Sequence, residues 1–363
     1  MLSKKNRLFI LVLIILLIVL INIYYRPRID QINEAYAPKP QWATPFGSYT
    51  VNIASTHFDK LWEIQNLFIY NNDYGRNLLT DGKNIFLVGS SKLESPPFLY
   101  RFDLLDGKQE WVSQEEISLP VVMTQKSNNI FVASGVPSVI AAYDVDSGTE
   151  IWRRQLSSRM KSTHYMFVNS NDLYISTVPV HLEIINATTG IVKKEDLSED
   201  FFPIFLVDDG TIYHRTLPDR LQATSKLTGD ILWEVQFNEE ILLIPIFTTE
   251  FILVRTGHPS RGQLSVIERT TGNVLWAGPR NIVSNVSVDG EIIFYLTDQS
   301  RLIAQNIQTG EKIGEIKFSP ELIDMNAHDF SNREFSVVAS NGFVLVYFGS
   351  SWQLFAFRFL PDS

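Results

Sequence analysis

Residues 140–152 read Ile140-Ala-Ala142-Tyr-Asp144-Val-Asp-Ser147-Gly148-Thr-Glu-Ile-Trp152. The frame is an apolar residue, a small residue two positions on, an acid two further, a glycine four later and a tryptophan four after that. The alternation before Asp144 is that of a strand with one buried face. Asp144 is placed to cap a turn with its side chain, and Gly148 to take the positive φ that the turn requires. Trp152 opens a second strand as a large apolar anchor. The frame returns at Leu99/Asp103/Gly107/Trp111 and at Leu182/Asn186/Gly190, where Lys194 holds the tryptophan position. It returns again at Leu221/Ser225/Gly229/Trp233, at Leu264/Glu268/Gly272/Trp276, and at Leu302/Asn306/Gly310 with Gly314 in that position. Successive glycines lie 41, 42, 39, 43 and 38 residues apart, the mark of a repeated structural unit.

A second hairpin precedes each frame. Its turns are Asp81-Gly82, Asn128-Asn129, Asn171-Asp172, Asp209-Gly210, Thr249-Glu250, Asp289-Gly290 and Asn341-Gly342, most of them between β-rich runs such as Ile130-Phe-Val132. Each unit is therefore four short antiparallel strands, which is a propeller blade. The chain is predicted to be all-β, a seven-bladed β-propeller over residues 58–363. The seventh frame begins at Leu354-Phe-Ala356 and lacks its outer strand. Trp62-Glu-Ile-Gln resembles Trp233-Glu-Val-Gln, so residues 60–70 are expected to pair with 352–359 and close the ring. Eight blades is the alternative, if residues 44–58 hold further strands.

The N-terminus has a different character. Leu8 to Tyr25 is an 18-residue apolar run interrupted by Asn22, long enough to cross a bilayer and longer than the core of a cleaved signal. It is read as an uncleaved transmembrane helix, with residues 1–7 cytoplasmic, residues 26–57 a proline-broken stalk and the propeller extracytoplasmic. Lys4, Lys5 and Arg7 before the span support that orientation. Trp42 and Phe46 are candidates to dock the stalk. Five of the 31 Lys and Arg lie in residues 1–28, which hold no acid, so all 40 acidic residues belong to the part beyond the span. The net charge of -9 speaks against a nucleic-acid partner. The chain has no cysteine, which excludes disulfides, thiolate metal sites, thiol nucleophiles and lipidated cysteine.

The spacing Ala-x-Asp-x-x-[Ser/Thr]-Gly-x-x-x-Trp resembles the pyrroloquinoline-quinone-like propeller repeat. Ala142, Asp144, Ser147, Gly148 and Trp152 match it fully, and the resemblance extends over residues 58–363. It implies that Asp103, Asp144, Asn186 and Asn306, with Gly107, Gly148, Gly190, Gly229, Gly272 and Gly310 and with Trp111, Trp152, Trp233 and Trp276, serve turns and inter-blade packing. Two groups share the repeat: quinoprotein dehydrogenases, and non-enzymatic propellers similar to the outer-membrane-protein assembly lipoprotein. The dehydrogenases add a calcium-binding acid set and commonly a cysteine pair. The missing cysteines weigh against the quinone enzyme, and also against a lipid anchor. The expectation is a membrane-anchored protein-binding scaffold without cofactor. A quinone-dependent dehydrogenase and a carbohydrate-binding propeller are the alternatives.

No pair among His57, His164, His181, His214, His258 and His328 has metal-ligand spacing on a predicted helix. Asp144-Val-Asp146 looks faintly like a calcium loop, but the repeat turn accounts for it better. The sequons at Asn186 and Asn285 fall inside repeat elements and are given no role. The candidate binding residues lie in loops between the second and third strands of neighbouring blades: Arg215, Asp219, Arg220, Arg255, His258, Arg261 and Arg301. They are expected to form a basic patch for a protein partner or an anionic ligand.

Overall fold

The computed structural model describes residues 57–361, apart from 70–76, 91–94, 120, 136–138, 157–161, 179–180, 197–203, 209, 259–260, 320–321, 323–334 and 350. The expected membrane span and most of the stalk lie outside the described residues, as do the turn residue Asp209 and His328.

Seven antiparallel sheets follow one another along the chain. The strand that opens the described residues, β1 (Phe58–Ile64), does not belong to the first of them. The first blade contains β2 (Phe68–Ile69), β3 (Leu78–Thr80), β4 (Asn84–Ser90), β5 (Phe98–Asp103) and β6 (Gln109–Val112). Here β2 and β3 share one edge of β4, Phe68 pairing with Ser90 and Leu78 with Leu87. The second blade is β7 (Val121–Lys126), β8 (Asn129–Ser134), β9 (Val139–Asp144) and β10 (Glu150–Gln155). The third is β11 (Ser162–Asn169), β12 (Asp172–Val178), β13 (His181–Asn186) and β14 (Val192–Asp196). The fourth is β15 (Ile204–Val207), β16 (Thr211–Leu217), β17 (Arg220–Ser225) and β18 (Ile231–Gln236). The fifth is β19 (Ile246–Phe247), β20 (Phe251–His258), β21 (Arg261–Glu268) and β22 (Val274–Ala277). The sixth is β23 (Ser287–Asp289), β24 (Ile292–Thr297), β25 (Arg301–Asn306) and β26 (Lys312–Lys317). The seventh takes β27 (Phe335–Ser340), β28 (Phe343–Phe348) and β29 (Gln353–Phe359) from the end of the chain and β1 from its beginning.

β1 closes the ring against β29, whereas Phe68 and Ile69, within the expected 60–70 span, pair with β4 instead. Phe58 pairs with Phe359, Trp62 with Ala356 and Ile64 with Leu354. All seven outermost strand pairs slip register at one equivalent place, the residue just before the tryptophan position. Such a bulge turns one extra residue out of the ladder. It explains why Ile151, Leu232 and Leu275 are exposed although they sit in strands.

The core lies between blades. Val122, Phe131, Ile140, Met166, Leu173 and Ile185 join blades two and three. Where blade seven meets blade six the filling is aromatic: Phe58 lies edge-on to Phe294 at 6.3 Å, and Phe318 to Phe348 at 4.9 Å. Between blades three and four the buried cluster is small among the described residues, comprising Phe167, Tyr174, Ile204 and Val207.

Candidate functional site

The signature turns show what the repeat residues do. Asp144 accepts hydrogen bonds on Oδ1 from the Ser147 backbone N–H and hydroxyl, both at 2.8 Å. The Ser147 hydroxyl bond, with the backbone donors, holds its carboxyl below the usual carboxylate range. Asn186 and Asn306 cap their turns in the same way. Gly148 has φ of 68° and lies beneath an indole: a Cβ there would meet Trp111 Cδ2 at 2.7 Å. The Trp111 Nε1–H donates to the Val145 carbonyl at 3.0 Å.

This latch recurs around the ring. Trp152 covers Gly190 and donates to Ala187 O, Trp233 covers Gly272 and donates to Arg269 O, and Trp276 covers Gly310 and donates to Ile307 O. Trp62 covers Gly107 and donates to Leu104 O, so the strand borrowed from the front of the domain brings its own latch. In every case the tryptophan of one blade seals the turn of the next. Sequence reasoning assigned the tryptophans to inter-blade packing but gave no sign of the indole hydrogen bond. It also missed Asn285, whose side chain donates to Val337 O and accepts from Val337 N, both at 2.8 Å, bridging blades six and seven like a short strand.

The loop face differs from expectation. Arg255 is no loop residue: it lies within β20, 3% exposed, and donates to the Ile282 carbonyl at 2.9 Å. The β20–β21 ladder runs on to the pair His258–Arg261, so a stretch read as a long loop is mostly hairpin. Gly262 opposite leaves room for the Arg255 side chain, since a Cβ there would collide with it. Burial pushes the Arg255 guanidinium down to about 10, and it remains charged at neutral pH.

The remaining arginines face acids. Arg215 is 3.7 Å from Glu240, Arg220 3.2 Å from Glu234, Arg261 4.0 Å from Asp298 and Arg301 3.1 Å from Glu315. Asp219 accepts from Gln236 Nε2. His258 is exposed at the end of β20. The expected basic patch is thus a set of ion pairs with nearly compensating charge, and Arg261, its side chain 67% exposed, is the member most open to a partner.

The innermost strands surround a central cavity of about 550 Å³. Its polar lining includes Asn77, Thr80, Thr124, Asn285, Ser287 and Arg255, with Met123, Met166, Phe167 and Val337 among the apolar residues. Among the described residues, the lining holds no carboxylate, and no group of three His, Asp or Glu able to hold a metal occurs. A calcium–quinone pair needs oxygen anions on the metal and a carboxylate base, and the described part of the lining supplies neither. His214 lies outside that lining. Its ring nitrogen is 2.9 Å from Thr224 Oγ1, and burial lowers its pKa.

A family model described as outer membrane protein assembly factor BamB matches residues 98–200 and 194–358. An uncharacterized protein of Rickettsia conorii is 23% identical over 204 residues, covering 51% of this chain and 48% of the relative. One from Rickettsia prowazekii is 22% identical over 214 residues, covering 54% and 50%. The chain spans about half the length of these two relatives. The outer membrane protein assembly factor BamB of Francisella tularensis is 34% identical over 53 residues, 15% of this chain and 12% of that one. The crystal structure of BamB from Moraxella catarrhalis superposes with a TM-score of 0.49 at 13% identity, covering 87% of this chain and 95% of that one.

Proposed function

This chain belongs to the family of the outer membrane protein assembly factor BamB, and on that premise we propose that it is a protein-binding scaffold of the cell envelope, not an enzyme. The match of the family model, from β5 to near the end of β29, carries the reading. The proposed partner surface is the loop face around Arg261. Its compensated ion pairs favour a partner held by shape and matched charges over a simple anion.

In this reading Leu8 to Tyr25 anchors the chain and the propeller stands outside the cytoplasm. The length of the apolar run and the basic residues before it support the arrangement. The test places a photo-reactive residue at Arg261 of the full chain in its native membrane. Cross-linking to an envelope protein is expected, together with cleavage of the propeller by protease added to spheroplasts. A cytosolic partner, no cross-link, or a protected propeller would overturn the proposal.

A further inference from the structure

Two of the seven outer strands carry no tryptophan at the latch position, and one of them leaves a finished receptor behind. Blade three has Lys194 there, and Lys194 is exposed. The turn it should seal, Ser225 to Gly229 in blade four, has the same build as the others: Gly229 has φ of 77°, and its N–H donates to Ser225 O at 2.9 Å. Yet no described residue lies within 4 Å of a Cβ built on Gly229, whereas Gly107, Gly148, Gly190, Gly272 and Gly310 each lie against an indole. Gly190 and Gly272 are buried, and Gly229 is exposed. The carbonyl that would accept the indole N–H is that of Lys226, three residues before the glycine, as Leu104, Val145, Ala187, Arg269 and Ile307 are in their turns. Apolar side chains stand exposed at this turn: Leu227 within it at 93%, and Ile231, which opens β18, at 63%.

We infer that the turn Ser225–Gly229 is a docking site for a tryptophan on a partner polypeptide, its indole flat on Gly229 and its N–H on the Lys226 carbonyl. The five occupied seams of this ring define the occupant, since the same turn geometry receives an indole in each. Charge complementarity sets its surroundings. Lys226 stands exposed on one side of Gly229 and Asp230 on the other, so the favoured partner segment sets an acid and a base beside its tryptophan to face them. The ammonium group of Lys226 also suits the indole face itself. A buried tryptophan with a satisfied N–H is a typical anchor of an interface.

This inference rests on the scaffold reading but concerns the opposite face from Arg261, so the two fail separately. A photo-reactive residue replaces Leu227 in the full chain in its native membrane, with and without Lys194→Trp. That substitution gives blade three the tryptophan its neighbours have. The cross-linked partner peptide is expected to contain a tryptophan. Lys194→Trp is expected to lower its yield at least tenfold while raising the melting midpoint by about 2 °C. A partner peptide without tryptophan, a cross-link only to this chain itself, a yield unchanged by Lys194→Trp, or no cross-link at Leu227 while Arg261 still captures its partner would each overturn the inference. If both positions stay silent, the scaffold reading falls with it.

Discussion

At the scale of single residues, glycine and tryptophan act as one device. Gly148 is needed twice, for its positive φ and for the space under Trp111. Within this chain Gly229 lies under no indole, and its φ of 77° alone calls for glycine. Gly148→Ala should therefore cost about 2–4 kcal/mol, combining backbone strain with overpacking. Gly229→Ala should cost about 1 kcal/mol from backbone strain alone. Urea midpoints of the two variants measure the difference, and equal losses would show that the indole does not seat on the glycine. The repeat positions were legible because period, acid cap and glycine all recur in the sequence. Arg255 was not, because nothing local distinguishes a charged residue in a long hairpin from one in a loop. Its burial depends on Gly262 in the facing strand and on the Ile282 carbonyl beyond it.

At the scale of elements, the informative strand is β1. Its sequence likeness to the outer strand of blade four pointed to the pairing with β29, and the structure gives the register and the bulge between Lys60 and Trp62. The bulges were not legible, since the bulged residues Ile151, Leu232 and Leu275 are apolar and read as buried strand positions. The half-buried Trp62 holds blade seven to blade one through the Leu104 carbonyl and Gly107. Trp62→Ala should lower stability by about 3 kcal/mol. The loss should appear with faster proteolysis within residues 57–64 than elsewhere in the ring. Normal protection of that strand by limited proteolysis would show that β29 retains it without the latch.

At the scale of the molecule, stability is distributed unevenly around the circle. The seam between blades three and four has no tryptophan latch and, among the described residues, a small buried cluster, although Asn169 Nδ2 still donates to Val207 O across it. Local opening should start there. Hydrogen exchange should be faster in β14 and β15 than in β20, β21, β24 and β25, and Lys194→Trp should slow it. Uniform exchange around the ring would contradict this account. The architecture was readable from spacing alone, whereas the pairing of the loop arginines with acids was not. That pairing depends on Glu234, Glu240, Asp298 and Glu315, which the fold brings to the arginines.

The pairing of Phe58 with Phe359 also sets an order of events in biosynthesis. Elongation at about 5–20 residues per second separates the emergence of the two by roughly 15–60 s. For that interval the nascent chain holds β1 as an open edge, able to pair with any passing strand. Blades one to six can assemble one after another from neighbouring segments, but the seventh must wait for the final residues to return to the first strand. Interrupted translation anywhere before β29 therefore leaves not a shorter propeller but an unclosed arc with adhesive ends.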